Sequence, residues 1–254
     1  MDLSTVTPVI LTYNEEPNIE RVLAKLSWAT QIIVIDSYST DRTLEILERY
    51  PRVVCLKRRF DSHEIQWNYG LEQVKTEWSL SLDSDYVLSD ELIGELEGLT
   101  PESSVDGYFA PFKYCVFGKP LRGSILPPRQ VLSRTKRCRY LKDGHTQLLT
   151  VDRASKHLSG CIYHDDRKAL SRWLWAQDRY MLLEVEKLRN TPVQELSLGD
   201  RIRKQKVVAP FVILVYCLIL KGGILDGWHG FYYAFQRMFA EVLLSLRLLE
   251  QAEN

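Results

Sequence analysis

The chain has 254 residues, 45% of them hydrophobic and 26% charged, and its formal net charge is zero. That length buries one generous core with at most a small appended element, and the balance excludes a disordered or collagen-like chain. A neutral total gives nucleic acid no global attraction.

In chain order, Val6 to Leu11 reads as a strand, closed by Tyr13-Asn14-Glu15-Glu16. Pro17 suits a first helical position, and Ile19, Val22, Leu23 and Leu26 follow on one helical stripe. Gln31 to Ile35 is a continuous apolar run, the pattern of a strand buried on both faces. A helix from about Asp41 to Tyr50, a strand at Val53 to Leu56, a helix over roughly His63 to Val74 and a strand at Trp78 to Leu82 follow. This β-α-β-α-β-α-β order implies a parallel sheet covered by helices, with ligands bound beyond the carboxyl ends of its strands. From Asp106 to about Cys161, short β-like pieces broken by Gly118, Pro120, Gly123, Pro127 and Pro128 predict an antiparallel extension of the same domain. Ser171 to Arg189 then reads as a helix.

The last quarter changes character. Val207 to Leu220 is 14 residues without a charge, short of the roughly 20 that span a bilayer as a helix. Arg201, Arg203, Lys204 and Lys206 precede it and Lys221-Gly222-Gly223 follows. A second helix, about Gly230 to Leu249, carries Phe231, Tyr232, Tyr233 and Phe235 near its start. Aromatics beside basic flanks suit a membrane interface, and a buried helical hairpin or an oligomer contact is the alternative. Five widely spaced cysteines without a C-x-x-C pair fit a reducing compartment, and the absence of a basic leader predicts no secretory signal.

The chemistry concentrates at strand ends. Asp83-Ser84-Asp85 directly follows the fourth strand, and two carboxylates one residue apart there can converge on a single Mg2+ or Mn2+. Such a cation would offset the charge of a diphosphate leaving group; a turn or helix cap leading into Ser89-Asp90-Glu91 is the plain alternative. At the end of the second strand, Asp36 can accept hydrogen bonds from a base or ribose, while Ser39 and Asp41 can cap the next helix. His164 can complete a metal site or serve as a structural histidine.

Ile10-Leu11-Thr12-Tyr13-Asn14-Glu15-Glu16, Val34 to Thr43, Gln66-Trp67-Asn68-Tyr69-Gly70-Leu71 and Leu82-Asp83-Ser84-Asp85 together resemble the successive motifs of the family-2 inverting glycosyltransferases. Four ordered motifs over roughly residues 6–90 are far more specific than any one. The subgroup most resembled is the short bacterial lipopolysaccharide-core glucosyltransferase-like branch, to which Lys221-Gly222-Gly223 and Asp226-Gly227-Trp228 are also similar. The resemblance implies the GT-A fold: an α/β, Rossmann-like mixed sheet with helices on both faces, here with C-terminal membrane-proximal helices. It implies that Thr12, Tyr13 and Glu15 line a nucleotide pocket, with Asp36 and Ser39 at the uracil or ribose. Gln66 and Asn68 would sit near the ribose and diphosphate, Asp83 at the donor sugar or ribose, and Asp85 on the metal. Trp67 departs from the pattern, which often has a basic residue there.

Inversion needs a base to take the acceptor's hydroxyl proton. No Glu-Asp pair opens a helix downstream of Asp85, and Lys142-Asp143-Gly144-His145-Thr146-Gln147 is the nearest local analogue of the branch's His-Glu-like pair. Asp143 is the first candidate, His145 the second and Asp165 the third; a plain turn also explains Asp143-Gly144. Residues 101–190 carry 17 Lys/Arg against 9 Asp/Glu, whereas residues 1–100 carry 9 against 18. Arg134, Lys136, Arg137, Arg139, Arg167, Lys168 and Arg172 supply much of that basic middle, which suits an anionic acceptor such as a phosphorylated lipid, or the donor diphosphate.

The expectation is therefore a transferase domain over residues 1–190, nucleotide-binding in 1–100 and acceptor-binding in 101–190, with a helical membrane-associating or oligomerisation segment over 191–254. It moves a sugar from a nucleotide donor, UDP-linked, to a lipid-linked or cell-envelope glycan at the cytoplasmic face of the plasma membrane. The rivals are a sugar-phosphate nucleotidyltransferase, which would normally show a Gly-rich basic loop after the first strand, and a non-catalytic scaffold with the same fold.

Overall fold

The computed structural model describes residues 1–143 and 146–250, without the side chains of Asp143 and Thr146. By its contacts the chain forms two compact units. The first comprises Met1–Cys115 and Leu126–Arg167, and the second comprises Val116–Ile125 and the chain from Lys168 onward.

The first unit follows the expected alternation: β1 (Val6–Thr12), α1 (Ile19–Ala24), β2 (Ile32–Asp36), α2 (Thr43–Glu48), β3 (Val53–Lys57), α3 (His63–Glu72) and β4 (Trp78–Asp83). Further along come β5 (Tyr86–Leu88), α4 (Asp90–Gly98), β6 (Val105–Ala110), β7 (Phe112–Val116), β8 (Lys119–Pro120), β9 (Arg129–Arg134), β10 (Cys138–Asp143), β11 (Thr146–Val151), β12 (Ala154–His157) and β13 (Ile162–His164). The main sheet runs in the order β12-β6-β9-β4-β1-β2-β3. Its β4-β1-β2-β3 half is parallel, while β9 lies antiparallel between β4 and β6. The sheet is thus mixed: β9 runs antiparallel to both its neighbours, while β12 pairs parallel with β6, so the later strands are only in part the antiparallel extension expected.

Burial explains the sequence pattern. Every residue of β2 is buried, as a strand covered on both faces requires. On one face Ile19, Val22, Leu23, Ile46, Leu47, Leu92 and Leu96 of α1, α2 and α4 meet Ile10, Val34 and Leu82. On the other, Trp67 and Leu71 of α3 meet Val9, Ile33 and Ile35, with Tyr140 and Leu149 from the β10–β11 hairpin. Gly70 permits this approach, because a Cβ there would stand 2.7 Å from Val9 Cγ1. Pro17 lies two residues before α1 rather than at its first position. The pairing of β13 with β5 and β7 forms a smaller sheet beside the end of β4.

The second unit holds α5 (Leu170–Asn190), α6 (Leu198–Arg203), α7 (Ala209–Val215), a wider turn over Tyr216–Leu220 and α8 (Trp228–Glu250). The contact division therefore places α5 with the later helices, where the sequence expectation drew a boundary at residue 190. Packed against α8 are α5, α6 and α7. Arg203 is the ionic hub: its guanidinium bonds Glu241 at 2.6–3.0 Å and Asp200 at 3.1 Å. The Asp226 carboxylate, also buried, accepts the backbone N–H groups of Arg122 and Gly123 at 2.8 and 3.2 Å. Small residues make that packing feasible, since a Cβ on Gly230 would fall 1.9 Å from the Gly223 carbonyl oxygen. No described helix is long and apolar enough to cross a membrane.

Candidate functional site

Three strand ends meet at one edge of the first unit. Thr12 stands beside Asp36, and Leu11 beside Asp83, so β1 separates the two acids. Two strand spacings put about 10 Å between the β2 and β4 backbones. Side-chain alternation places Asp36 on the α1–α2 face with Thr12 and Asp83 on the α3 face with Leu11.

Asp36 is wholly buried. Its Oδ2 accepts the hydroxyls of Thr12 at 3.0 Å and Ser39 at 2.5 Å, and its Oδ1 accepts the Ser39 N–H at 2.9 Å. These bonds join the loops after β1 and β2. Asn14 N–H donates to Ser39 Oγ, Glu15 N–H to Thr43 Oγ1 and Glu16 N–H to Asp41 Oδ2, while Asn14 Oδ1 accepts the Thr40 N–H. Asp41 also accepts the Thr43 N–H and hydroxyl at the start of α2, the capping role expected of it. Tyr13 and Tyr38 are left on the outside, 44% and 56% exposed. Asn14 and Tyr38 both adopt positive φ, 56° and 63°, conformations that a non-glycine residue adopts only where its surroundings hold it.

Gln66 is also buried, its amide bonded to Ser37 Oγ, the Arg58 carbonyl and the Arg58 guanidinium. Asn68 spends both ends of its amide on the Tyr140 backbone, donating to O and accepting from N–H, each at 2.9 Å. It thereby docks the β10–β11 hairpin onto α3. Trp67 beneath it stacks on Tyr140 with ring centroids 5.2 Å apart, which accounts for an aromatic where the family pattern often has a base.

At the β4 end, Ser84 donates its hydroxyl to the Leu11 carbonyl, fixing the turn between Asp83 and Asp85. His164 Nε2 lies 3.1 Å from Asp85 Oδ2, and its Nδ1 is buried with no hydrogen-bond partner. The rings of Tyr86 and Tyr114 flank it edge-on at 5.2 and 5.0 Å. Burial works against a charged imidazole, yet Asp85 more than offsets it, so the His164 pKa is raised. Burial also pushes the Tyr86 phenol well up, aided by the charge of Asp83.

Arg129 is the residue that the sequence reading missed here. Leu80 pairs with Leu132 across the antiparallel β4–β9 ladder, which brings the start of β9 level with the end of β4. Its guanidinium donates to Tyr86 Oη at 3.1 Å. Although burial disfavours its charge, Tyr86, Asp83 and Asp85 raise its pKa. Nothing local in Pro127-Pro128-Arg129 signals this; only strand order does.

The base candidates separate. Asp143 ends β10 in the hairpin whose root, Tyr140, sits on α3, and His145 lies outside the described residues. Asp165 is held by two guanidinium groups: Arg21 on one side and Arg167 at 2.8 Å through both carboxylate oxygens. Asn18 adds to this latch, bonding Glu15, Asp166 and the Arg167 N–H. Of the basic middle, Arg134 and Arg137 flank the wholly buried Asp106 at 3.3 and 3.2 Å.

Among the described residues no three His, Cys, Asp or Glu side chains are gathered into a ready metal cluster. A hard divalent cation on a nucleotide needs fewer protein ligands, because phosphate oxygens and water complete its shell. Asp83 and Asp85, with His164 Nε2 3.1 Å from the Asp85 carboxylate, fit that chemistry.

A family model described as Glycosyl transferase family 2 matches residues 7–143. An uncharacterized glycosyltransferase of Rickettsia bellii is 33% identical over 106 residues, 41% of this chain and 36% of that protein. The glycosyltransferase SunS of Bacillus subtilis is 31% identical over 101 residues, 37% of this chain and 23% of its own length. The match thus spans little more than a third of these relatives at most. Among solved structures, the mannosyltransferase PcManGT of Pyrobaculum calidifontis, in complex with GDP-Man and Mn2+, shares the fold with TM-score 0.55 at 12% identity, covering 96% of this chain and 87% of its own. The S. aureus TarS 1–349 structure in complex with UDP-GlcNAc has TM-score 0.51 at 15% identity, covering 97% and 92%. This likeness identifies the mixed sheet as the GT-A type. A match over more than half the chain, carrying the carboxylates at the end of β4, makes this protein a member of glycosyl transferase family 2.

Proposed function

We propose that the chain is an inverting transferase that moves a sugar from a UDP-linked donor to a lipid-linked or cell-envelope glycan, in the manner of the lipopolysaccharide-core glucosyltransferase-like branch. The observation that carries this reading is the placement of Asp83 and Asp85 beside β1, with Arg129 level with them. A nucleotide lying across the carboxyl ends of β2, β1 and β4 would have its base by Tyr13, Tyr38 and Asp36 and its diphosphate by Asp83, Asp85 and Arg129. Direct contact with Asp36 would require the Thr12 or Ser39 hydroxyl to yield, because both now occupy its carboxylate.

Asp83 and Asp85 would hold Mn2+ or Mg2+, with His164 adjoining, and the cation would offset the leaving diphosphate's charge. Manganese in the PcManGT complex and UDP-GlcNAc in the TarS complex support a metal and a nucleotide sugar here. Asp143, on the hairpin docked by Asn68, is the residue assigned to take the acceptor's hydroxyl proton as that oxygen attacks the anomeric carbon. Asp165 is better suited to holding β13 against α1, since Arg21 and Arg167 engage its carboxylate. The first strand is followed by Tyr13-Asn14-Glu15-Glu16 rather than a glycine-rich basic loop, which disfavours a nucleotidyltransferase. The site of action proposed is the cytoplasmic face of the plasma membrane, reached peripherally.

A screen of nucleotide sugars for donor hydrolysis, with UDP- and GDP-linked arms, tests the reading without an acceptor. Release of UDP that depends on a divalent cation and on Asp85 supports it. Hydrolysis of GDP-linked sugars alone would replace the donor, and no hydrolysis of any sugar would remove the activity.

A further inference from the structure

The second unit leaves a large apolar surface without cover. Phe211, Val215 and Ile219 recur at four-residue spacing along α7 and the wider turn after it, 55–61% exposed. Leu220 and Leu225 continue the surface at 73% and 69% exposed. Two short turns keep it continuous, because Gly222 N–H reaches the Ile219 carbonyl and Leu225 N–H reaches that of Gly222. Next comes an aromatic group. Phe117, 61% exposed, stands 5.6 Å from the ring of Trp228 and 5.3 Å from that of Tyr232. Phe117 adopts φ 49°, a strained conformation for a bulky side chain, and it uses that strain to present a phenyl ring to solvent at a turn. Exposed apolar surface of this extent marks a binding face rather than an ordinary soluble exterior.

Charge selects the occupant. Residues 201–240 contain six Lys/Arg and one acid, Asp226, and of the six only Arg203 is spent, among the described residues, on the buried carboxylates of Glu241 and Asp200. Asp226 is buried against the backbone of Arg122 and Gly123. Residues 116–125 add Lys119 and Arg122 with no acid, and Lys119, Arg122 and Lys221 are all exposed. A second copy of this chain would set like charges against like, whereas an anionic bilayer offers phosphates around an apolar interior. No described helix is long and apolar enough to cross that interior, so the helices would lie in the interface plane.

We propose that the second unit docks on an anionic lipid surface, sinking Phe117, Trp228, Leu225 and the Phe211–Val215–Ile219 stripe to the acyl boundary while Lys119, Arg122 and Lys221 meet lipid phosphates. The proposal rests on the lipid-surface part of the reading above and not on its donor or its metal.

The test is sedimentation of the full chain with vesicles of phosphatidylcholine alone or mixed with phosphatidylglycerol, with UDP binding and circular dichroism measured on the same preparations. The expected result is binding to the mixed vesicles that falls at least tenfold on pure phosphatidylcholine. Lys221→Gln should weaken it about fivefold, the effect of one charge near such a surface. Phe117→Ser with Trp228→Ser should abolish it with helix content retained. Failure to bind the mixed vesicles overturns the proposal, as do variants that bind like the parent. A stable dimer in light scattering that Phe117→Ser and Trp228→Ser dissociate overturns it too, because a second copy then covers the face. Loss of vesicle binding with UDP binding kept sinks the docking surface alone. The reverse sinks the donor reading alone.

Discussion

His164 Nε2 stands 3.1 Å from Asp85 Oδ2, and the backbone repeats the link, with Asp165 N–H donating to the Asp85 carbonyl at 3.0 Å. Strand β13, late in the chain, therefore fixes a carboxylate at the end of β4. A partner that orients a metal-holding carboxylate typically matters about 10- to 100-fold in affinity. His164→Gln should weaken manganese-dependent UDP binding by that order in calorimetry, and Asp85→Asn should weaken it further. Equal binding by His164→Gln and the parent would reduce the histidine to packing.

Asp143 and Asp165 should behave oppositely. Asp143→Asn should keep UDP binding and lower turnover by about 10²- to 10⁴-fold, the usual contribution of a positioned base. Asp165→Asn leaves Arg21 and Arg167 short of their shared carboxylate. It should lower unfolding free energy by about 1 kcal/mol, read by denaturant titration, because the charge-assisted hydrogen bonds are lost while both arginines stay partly solvated. A turnover collapse in Asp165→Asn without loss of stability would transfer the base role to it.

Gly70→Ala would drive a methyl against Val9 and Ile35 beneath α3. Overpacking of this kind costs about 1–3 kcal/mol. A thermal melt of the variant should shift downward, and an unchanged melt would show that α3 does not pack so closely.

Acid should loosen the second unit through Asp200. Burial opposes its charge, but Ser197, Lys187 and Arg203 lower its pKa overall. A carboxylate whose folded pKa is depressed contributes stability above its unfolded value and loses it as pH falls through the folded one. Denaturant titrations between about pH 5 and pH 2 should show stability falling in the parent. Asp200→Asn should show a shallower fall, and the same slope in both proteins would remove Asp200 as a cause.

The alternation from β1 to β4 was legible because each element announces itself locally: the apolar run of β2, the stripe of Ile19, Val22 and Leu23, the pair Asp83 and Asp85 after an apolar strand. The match to the family supports that part of the reading. What escaped was long-range. Arg129 reaches the end of β4 only because β9 inserts antiparallel between β4 and β6. Asn18 and Arg21 meet residues 165–167 across nearly 150 positions of sequence. Asn68 reads as a ligand residue in its motif, yet its amide holds Tyr140; no spacing rule distinguishes the two uses. Asp36 likewise reads as a free acid at a strand end and is occupied by Thr12 and Ser39.

The central claim is that Asp83 and Asp85 secure a nucleotide diphosphate through a divalent cation. Calorimetric titration of UDP into the full chain, with Mn2+ and then with chelator, and into Asp85→Asn, tests it most directly. The account predicts micromolar binding with Mn2+ that falls at least about 100-fold with chelator or in the variant. UDP binding of equal strength in all three titrations, or none in any, would contradict it.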